Sequence, residues 1–190
     1  MEIEEFKLKD GRIVEIKKLT MEDYRLENNY EYIHDWLNRV NKFLALEFEK
    51  EDLEKDRANF EILMSNKDKY IMIGGVYNGK IIATANLELN LNNKKMGFIA
   101  KWGLAVAPNF QNQGLGTRLL QIIEHQAKEK GVKKLETEYF LGNVSAEKLY
   151  VKKLNYQIEG RRRFGGKLKD GTYTDRILIG KIIDDSMKEK

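Results

Sequence analysis

Apolar positions recur along this chain in two rhythms, and the changes from one to the other mark its elements. From Met21 to about residue 65, Tyr24, Tyr32, Ile33, Trp36, Leu37, Val40, Phe43 and Leu44, then Phe60, Ile62, Leu63 and Met64, return at roughly helical spacing. Thr20 reads as the N-cap of that stretch, with Asp23 reaching back to it, and a break at residues 45–51 divides two helices. Strand-like runs surround this block. An Asp10-Gly11 turn leads into a short strand at residues 12–18. Residues 70–77 form a β-rich run, Asn78-Gly79 is a hairpin signal, and residues 81–91 are the return strand. After a polar turn at residues 90–95, a third strand over residues 96–106 is stopped by Ala107-Pro108-Asn109.

The helical rhythm resumes with Leu115, Leu119, Leu120, Ile122, Ile123 and Ala127 on one face, and Gly131 supplies its stop. A strand is expected at residues 132–140. Asn143-Val144-Ser145-Ala146 opens a further helix carrying Ala146, Leu149, Tyr150 and Leu154 on one side. A last hairpin joins residues 157–164 to 173–183 through Asp170-Gly171. No repeat and no linker interrupts the series, so residues 1–190 read as a single mixed α/β domain.

Composition narrows the chemistry. Hydrophobic residues are 42% and charged residues 34%, and the net charge of +4, from 34 basic and 30 acidic residues, does not itself call for nucleic acid as partner. Cysteine is absent, which excludes disulfides and thiolate catalysis. Only His34 and His125 supply imidazoles, so no metal site is expected and both read as ordinary surface or boundary residues. No apolar run is long enough for a membrane span, and the acidic start lacks a leader's apolar core. A cytoplasmic enzyme is the expectation.

The chemistry concentrates in Gln111-Asn112-Gln113-Gly114-Leu115-Gly116-Thr117, between a strand and a helix. Such a loop aims backbone N–H groups at one anion, and the helix N-terminus adds partial positive charge. Gly114 and Gly116 leave room for a phosphate, although a tight strand-to-helix turn would use the same glycines. A P-loop lysine is missing, because Thr117 follows the last glycine.

Trp102-Gly103-Leu104-Ala105-Val106, the Gln111-x-x-Gly114-x-Gly116 loop, Asn143-x-x-Ala146 and Leu149-Tyr150 together resemble the GCN5-related N-acetyltransferase (GNAT) family, most strongly over residues 98–160. The resemblance implies one mostly antiparallel sheet with a splayed central strand pair and flanking helices. It implies acetyl-coenzyme A as co-substrate, with no metal, and transfer of the acetyl group to a primary amine by direct attack on the thioester. The acceptor is then a small amine, an amino acid or a protein N-terminus, with no nucleic acid or membrane as partner and a homodimer left open. Residues 111–117 would hold the pyrophosphate, with Gln111, Asn112, Gln113, Gly114, Leu115, Gly116 and Thr117 as its parts. Leu104, Ala105 and Val106, on a strand that the family bulges away from the strand at residues 135–139, would bind the pantetheine arm. Asn143 and Ala146 would contact the cofactor, Asn143 also serving as an N-cap. Tyr150 would be the general acid, with apolar packing as its other reading; a phenol near pKa 10 suits a thiol near about 8.5.

One position departs from the family. Lys101 stands where many members carry an acid. Glu88 on the neighbouring strand is the substitute candidate for the base, and Glu138 follows it; a solvated charge is the competing reading of each. The departure also motivates a second class, a catalytically silent coenzyme A-binding module. A nucleotide- or nucleic-acid-binding domain built on the glycine loop and Arg161-Arg162-Arg163 is a third, though those arginines also suit a solvated, edge-protecting face. Tyr24, Tyr30, Tyr32 and Trp36 are either acceptor-pocket residues or core.

Overall fold

The computed structural model of the chain describes residues 3–44 and 53–187. The helix break expected at residues 45–51 lies outside the described residues. One eight-stranded sheet organises the rest: β1 (Glu4–Lys7), β2 (Ile13–Lys18), β3 (Tyr70–Tyr77), β4 (Lys80–Glu88), β5 (Ile99–Val106), β6 (Lys134–Phe140), β7 (Gln157–Lys167) and β8 (Tyr173–Ile182). Their spatial order is β1-β2-β3-β4-β5-β6-β8-β7. Each neighbouring pair is antiparallel except β5 and β6, which run parallel. The mixed, mostly antiparallel sheet read from the sequence is the one present.

The helices are α1 (Met21–Arg25), α2 (Asn29–Val40), α3 (Leu53–Ser65), α4 (Leu115–Glu129) and α5 (Val144–Glu147). The capping pattern at α1 forms, with the Asp23 carboxylate accepting from the Thr20 N–H at 2.8 Å and hydroxyl at 2.9 Å. α4 buries the six apolar residues named for it. It packs on the sheet face where Leu115 fills the space beside Gly75, while α2 and α3 roof β4 and β3 from the other face. No helix among the described residues is long and apolar enough to cross a membrane.

Three details differ from the expectation. β1 was not foreseen, because its mostly charged run carries only Phe6 as a buried-side signal. The first helical block is divided at Leu26–Asn28, where Glu27 and Asn28 take positive φ of 53° and 51°. The last helix continues from Glu147 as a π-helical turn over Lys148–Lys153.

The roof is fixed to the sheet at one residue. Asn29, 2% exposed, donates from Nδ2 to the carbonyls of Asp23 at 3.0 Å and Gly79 at 2.9 Å, and its Oδ1 accepts from the Ile81 N–H at 3.0 Å. Trp36, two turns further along the same face of α2, donates from Nε1 to the Ile81 carbonyl at 3.1 Å. Both backbone groups of Ile81, in β4, are thereby taken by α2. Asn29→Leu is expected to lower the unfolding free energy by about 3 kcal/mol, since three backbone groups lose partners out of reach of bulk water. Urea denaturation measures this, and a change below about 0.5 kcal/mol would show that Asn29 is no clamp.

Candidate active site

The site begins where the sheet stops being a sheet. β5 and β6 share three registered pairs, Ile99–Lys134, Ala100–Leu135 and Lys101–Glu136, and no more. At the parting point the Thr137 hydroxyl donates to the Trp102 carbonyl at 2.8 Å. Beyond it the strands diverge, as the resemblance implied. The expected cause is corrected, however: β5 runs along β4 from Lys101 to Val106 without a register shift, so no bulge in β5 opens the gap. Gly103 serves a close approach instead, for the Asn86 side chain lies where its Cβ would be.

Two cavities meet at the gap. The second, of about 1000 Å³, is bounded by Leu104, Ala105 and Val106 of β5, by the glycine loop, and by α5 with the π-helical turn. Gly114 has φ of 92° and sits at the N-cap of α4, where no side chain caps the helix. The first i→i−4 bond runs from the Arg118 N–H to the Gly114 carbonyl at 3.1 Å. The N–H groups of Leu115, Gly116 and Thr117 are therefore left for a ligand at the helix end. A side chain at Gly116 would press on Leu104 at 3.2 Å and Leu149 at 3.5 Å, so its smallness serves packing of the helix start against both walls.

The loop's other residues divide by role. Gln111 folds back, donating from Nε2 to the Val106 carbonyl at 2.9 Å, and Asn112 takes positive φ of 61°. Both still line the cavity. Gln113 turns outward to accept from the Asp10 N–H at 3.2 Å, and the Leu115 side chain is wholly buried in the core, so each offers a ligand its backbone at most. Arg118, in the first turn of α4, is engaged elsewhere, donating to both Glu4 oxygens at 2.7 and 2.6 Å.

Lys9, Lys148 and Lys153 also line this cavity, and no carboxylate does so among the described residues. Sequence reasoning missed these three cations. Lys148 and Lys153 stand five apart, a spacing that shares a face in an i→i+5 turn and does not in an α-helix. Lys9 arrives from the far end of the chain, next to Gln113, whose carbonyl accepts the Lys9 N–H at 3.4 Å. A cavity with free helix-end N–H groups, three lysines and no acid suits a multiply charged anion such as a pyrophosphate.

The first cavity, of about 680 Å³, lies under α2 and α3 and is rich in aromatic side chains. Tyr24, Tyr30, Phe60 and Tyr70 face it from the roof side and β3; Trp102, Tyr139 and Tyr150 face it from the gap. Tyr24 and Tyr30 belong to the core and to the cavity wall at once, whereas Trp36 belongs to the core alone and Tyr32 packs against it. His34, half-buried at the boundary as expected, lines the cavity too. Burial holds its imidazole below the usual range, and the carboxylates of Asp56 and Glu31 oppose that shift.

Tyr150 lines both cavities at their junction. Its ring meets Trp102 edge to face at 4.9 Å and Tyr139 at 6.2 Å. Burial pushes its phenol up to about 12. Asn143 lines both cavities as well and caps α5, its Oδ1 accepting from the Ala146 N–H at 3.1 Å. Ala146 closes the same corner.

The two carboxylates named as bases fare differently. Glu88 and Lys101 are cross-strand partners, both exposed, two residues beyond Asn86 and Gly103 and outside the walls of either cavity. The structure therefore does not bring Glu88 to Tyr150. Glu138 does line the first cavity, but Arg176 pairs with one of its oxygens and Arg162 lies 3.7 Å from the other. The arginine run is largely spent within the fold, with Arg161 on Asp175, Arg162 on Glu138 and Arg163 against the Phe164 ring.

The same architecture recurs in solved structures. A GNAT-family acetyltransferase from Streptococcus pneumoniae superposes with a TM-score of 0.71 at 24% identity, over 90% of this chain and 99% of that one. Ribosomal-protein-S5-alanine acetyltransferase from Vibrio fischeri gives 0.76 at 16% identity, over 97% and 98%. A putative acetyltransferase from Salmonella typhimurium, solved with its cofactor acetyl-CoA, gives 0.71 at 17%, over 93% and 98%. No curated protein matches the chain in sequence. The acetyltransferase (GNAT) family model, in contrast, matches residues 20–156, reaching well before the glycine loop to take in the helices that roof the first cavity. The chain belongs to the acetyltransferase (GNAT) family, and is an acyltransferase.

Proposed function

We propose that the protein moves the acetyl group of acetyl-coenzyme A to a primary amine by direct attack on the thioester. The observation that carries this reading is the meeting of two unlike cavities at the β5–β6 gap, one lysine-lined and open to helix-end N–H groups, the other aromatic, with Tyr150 between them. In this reading the diphosphate sits at Gly114, Gly116 and Thr117 beside Lys9, Lys148 and Lys153. The pantetheine arm passes along Leu104, Ala105 and Val106, whose β6-facing backbone groups have no ladder partner. A backbone N–H there polarises the thioester carbonyl, and the amine attacks from the first cavity. Cysteine is absent from the sequence and the reaction needs no covalent enzyme intermediate.

Tyr150 acts on the departing sulfur. With its phenol pushed up to about 12, it stays protonated throughout the working range. It is also a weaker acid than a thiol of about 8.5, so complete proton transfer runs uphill. Its contribution is a hydrogen bond donated to the developing thiolate in a desolvated site. Glu138 is held by two arginines and Glu88 stands outside the cavity, so the acceptor gives its proton to solvent before it attacks.

Calorimetry with acetyl-coenzyme A tests the donor side. Lys148→Gln combined with Lys153→Gln is expected to raise Kd about tenfold, through lost charge-assisted contacts to phosphate, with an unchanged melting temperature because both side chains are exposed. Binding that is absent in the wild type, or unchanged in the double variant, contradicts the assignment.

A pH–rate profile tests the chemistry. The reacting form is the neutral amine, so kcat/KM rises about tenfold per pH unit below the acceptor's own pKa of about 10. Tyr150 titrates only near about 12, so no descending limb appears before that. Tyr150→Phe lowers kcat about 100-fold and leaves the slope unchanged. A flat profile would place the proton on an enzyme base instead. Acetyl-coenzyme A binding without turnover of any amine would put the chain in the alternative class, a silent coenzyme A-binding module.

A further inference from the structure

The first cavity extends along α2, and a carboxylate, Asp56, stands in its wall. α2 runs along it, with Tyr30, Ile33, His34 and Leu37 on the first cavity and Arg39 and Val40 on the second. Tyr30, at the end of the cavity far from the second, is therefore about 10 Å from Leu37, at 1.5 Å per helical residue. At that far end Phe60 stands 4.7 Å from Tyr24 and 6.0 Å from Tyr30, ring to ring. Asp56 joins them in the wall and makes no ion pair among the described residues. Its carboxylate acts on both Tyr30 and His34.

The surrounding charges do not cancel it. The groups felt by Tyr30 are Asp56, Glu31 and Glu61 against Arg57. Glu61 is taken by Arg25 at 3.1 Å, and Arg57 lies 3.5 Å from Glu31 while stacking over the Tyr30 ring. Glu31 Oε2 is buried with no hydrogen-bond partner. Among the described residues one negative charge is left over beside the aromatic rings, which is the environment that attracts a cation. Between this end and the gap Ile33, Leu37, Leu63 and Met72 give the wall an apolar stretch, with Thr84 and Asn86 as the polar groups beside it.

We propose that the acceptor carries a second cationic group, bound at the far end by Asp56 among the rings of Tyr30 and Phe60, with an apolar linker reaching the reacting nitrogen at the gap. This rests on reading the first cavity as the acceptor site. Asp56 is a specificity residue in this arrangement and takes no part in the bond changes. The reacting amine displaces coenzyme A from the thioester carbon while the distal ammonium stays protonated against Asp56.

The test compares hexamethylenediamine with hexylamine, which share a linker and differ in the distal charge. The wild type is expected to favour the diamine about tenfold in kcat/KM, the scale of one charge-assisted hydrogen bond. Asp56→Asn brings the ratio close to one by raising KM for the diamine, and changes hexylamine by less than about twofold. A wild-type ratio near one, a preference that survives Asp56→Asn, or better turnover of an alanine-initiated peptide than of the diamine would overturn the inference. Calorimetry of hexamethylenediamine on the coenzyme A complex separates this inference from the transferase reading. Binding that Asp56→Asn weakens about tenfold, without turnover, upholds the cation site and sinks the transferase. Binding indifferent to Asp56 sinks the cation site whatever the turnover.

Discussion

Everything in this site depends on the parting of β5 from β6 after three registered pairs. Two parallel strands left side by side would zip further, because unpaired backbone groups removed from water cost about 1–3 kcal/mol each. Here they are held apart from outside. β5 keeps six registered pairs with β4 and β6 keeps seven with β8, so each strand has a full ladder on its outer edge. Tyr150, Trp102 and Tyr139 occupy the mouth between them, ring against ring. The gap is a stable feature of the sheet with a row of hydrogen-bonding groups still to be satisfied, which is what an amide-bearing arm supplies.

The elements around the gap differ in charge from one side to the other. On one side the start of α4 and the π-helical turn gather lysines and free N–H groups with no acid among the described residues. On the other, α2 is tied through Asn29 and Trp36 to the backbone of Ile81, and this fixes an aromatic roof over β3 and β4. The far end of that roof carries surplus negative charge. An anionic donor and a cationic acceptor would enter from opposite ends and meet at Tyr150, where the low-dielectric surroundings keep the phenol protonated.

Local signals were read well from the sequence where a residue's conformation decided the outcome. The Asn78-Gly79 hairpin, the apolar face of α4 and the Gly114 turn each follow from a short stretch of chain, and each is present. What depended on distant contacts was not legible. β1 is mostly charged and becomes a strand through its pairing with β2 and the Arg118–Glu4 contact. Glu88 and Glu138 looked alike as acids on neighbouring strands, yet the register sets one outside the cavities and ties the other to two arginines. Lys148 and Lys153 converge only because the helix widens into a π turn, which no α-helical periodicity foretells. Asp56 and His34 reach the first cavity through the packing of α3 and α2 on the sheet.

The central claim is that the unpaired edge of β5 at the gap is a binding edge. Amide hydrogen exchange, followed with and without acetyl-coenzyme A, reads that edge directly. The account predicts slowed exchange at Leu104, Ala105, Val106 and at Leu115, Gly116 and Thr117, with the outer strand β7 unchanged. Unaltered exchange across both groups at saturating acetyl-coenzyme A would contradict it.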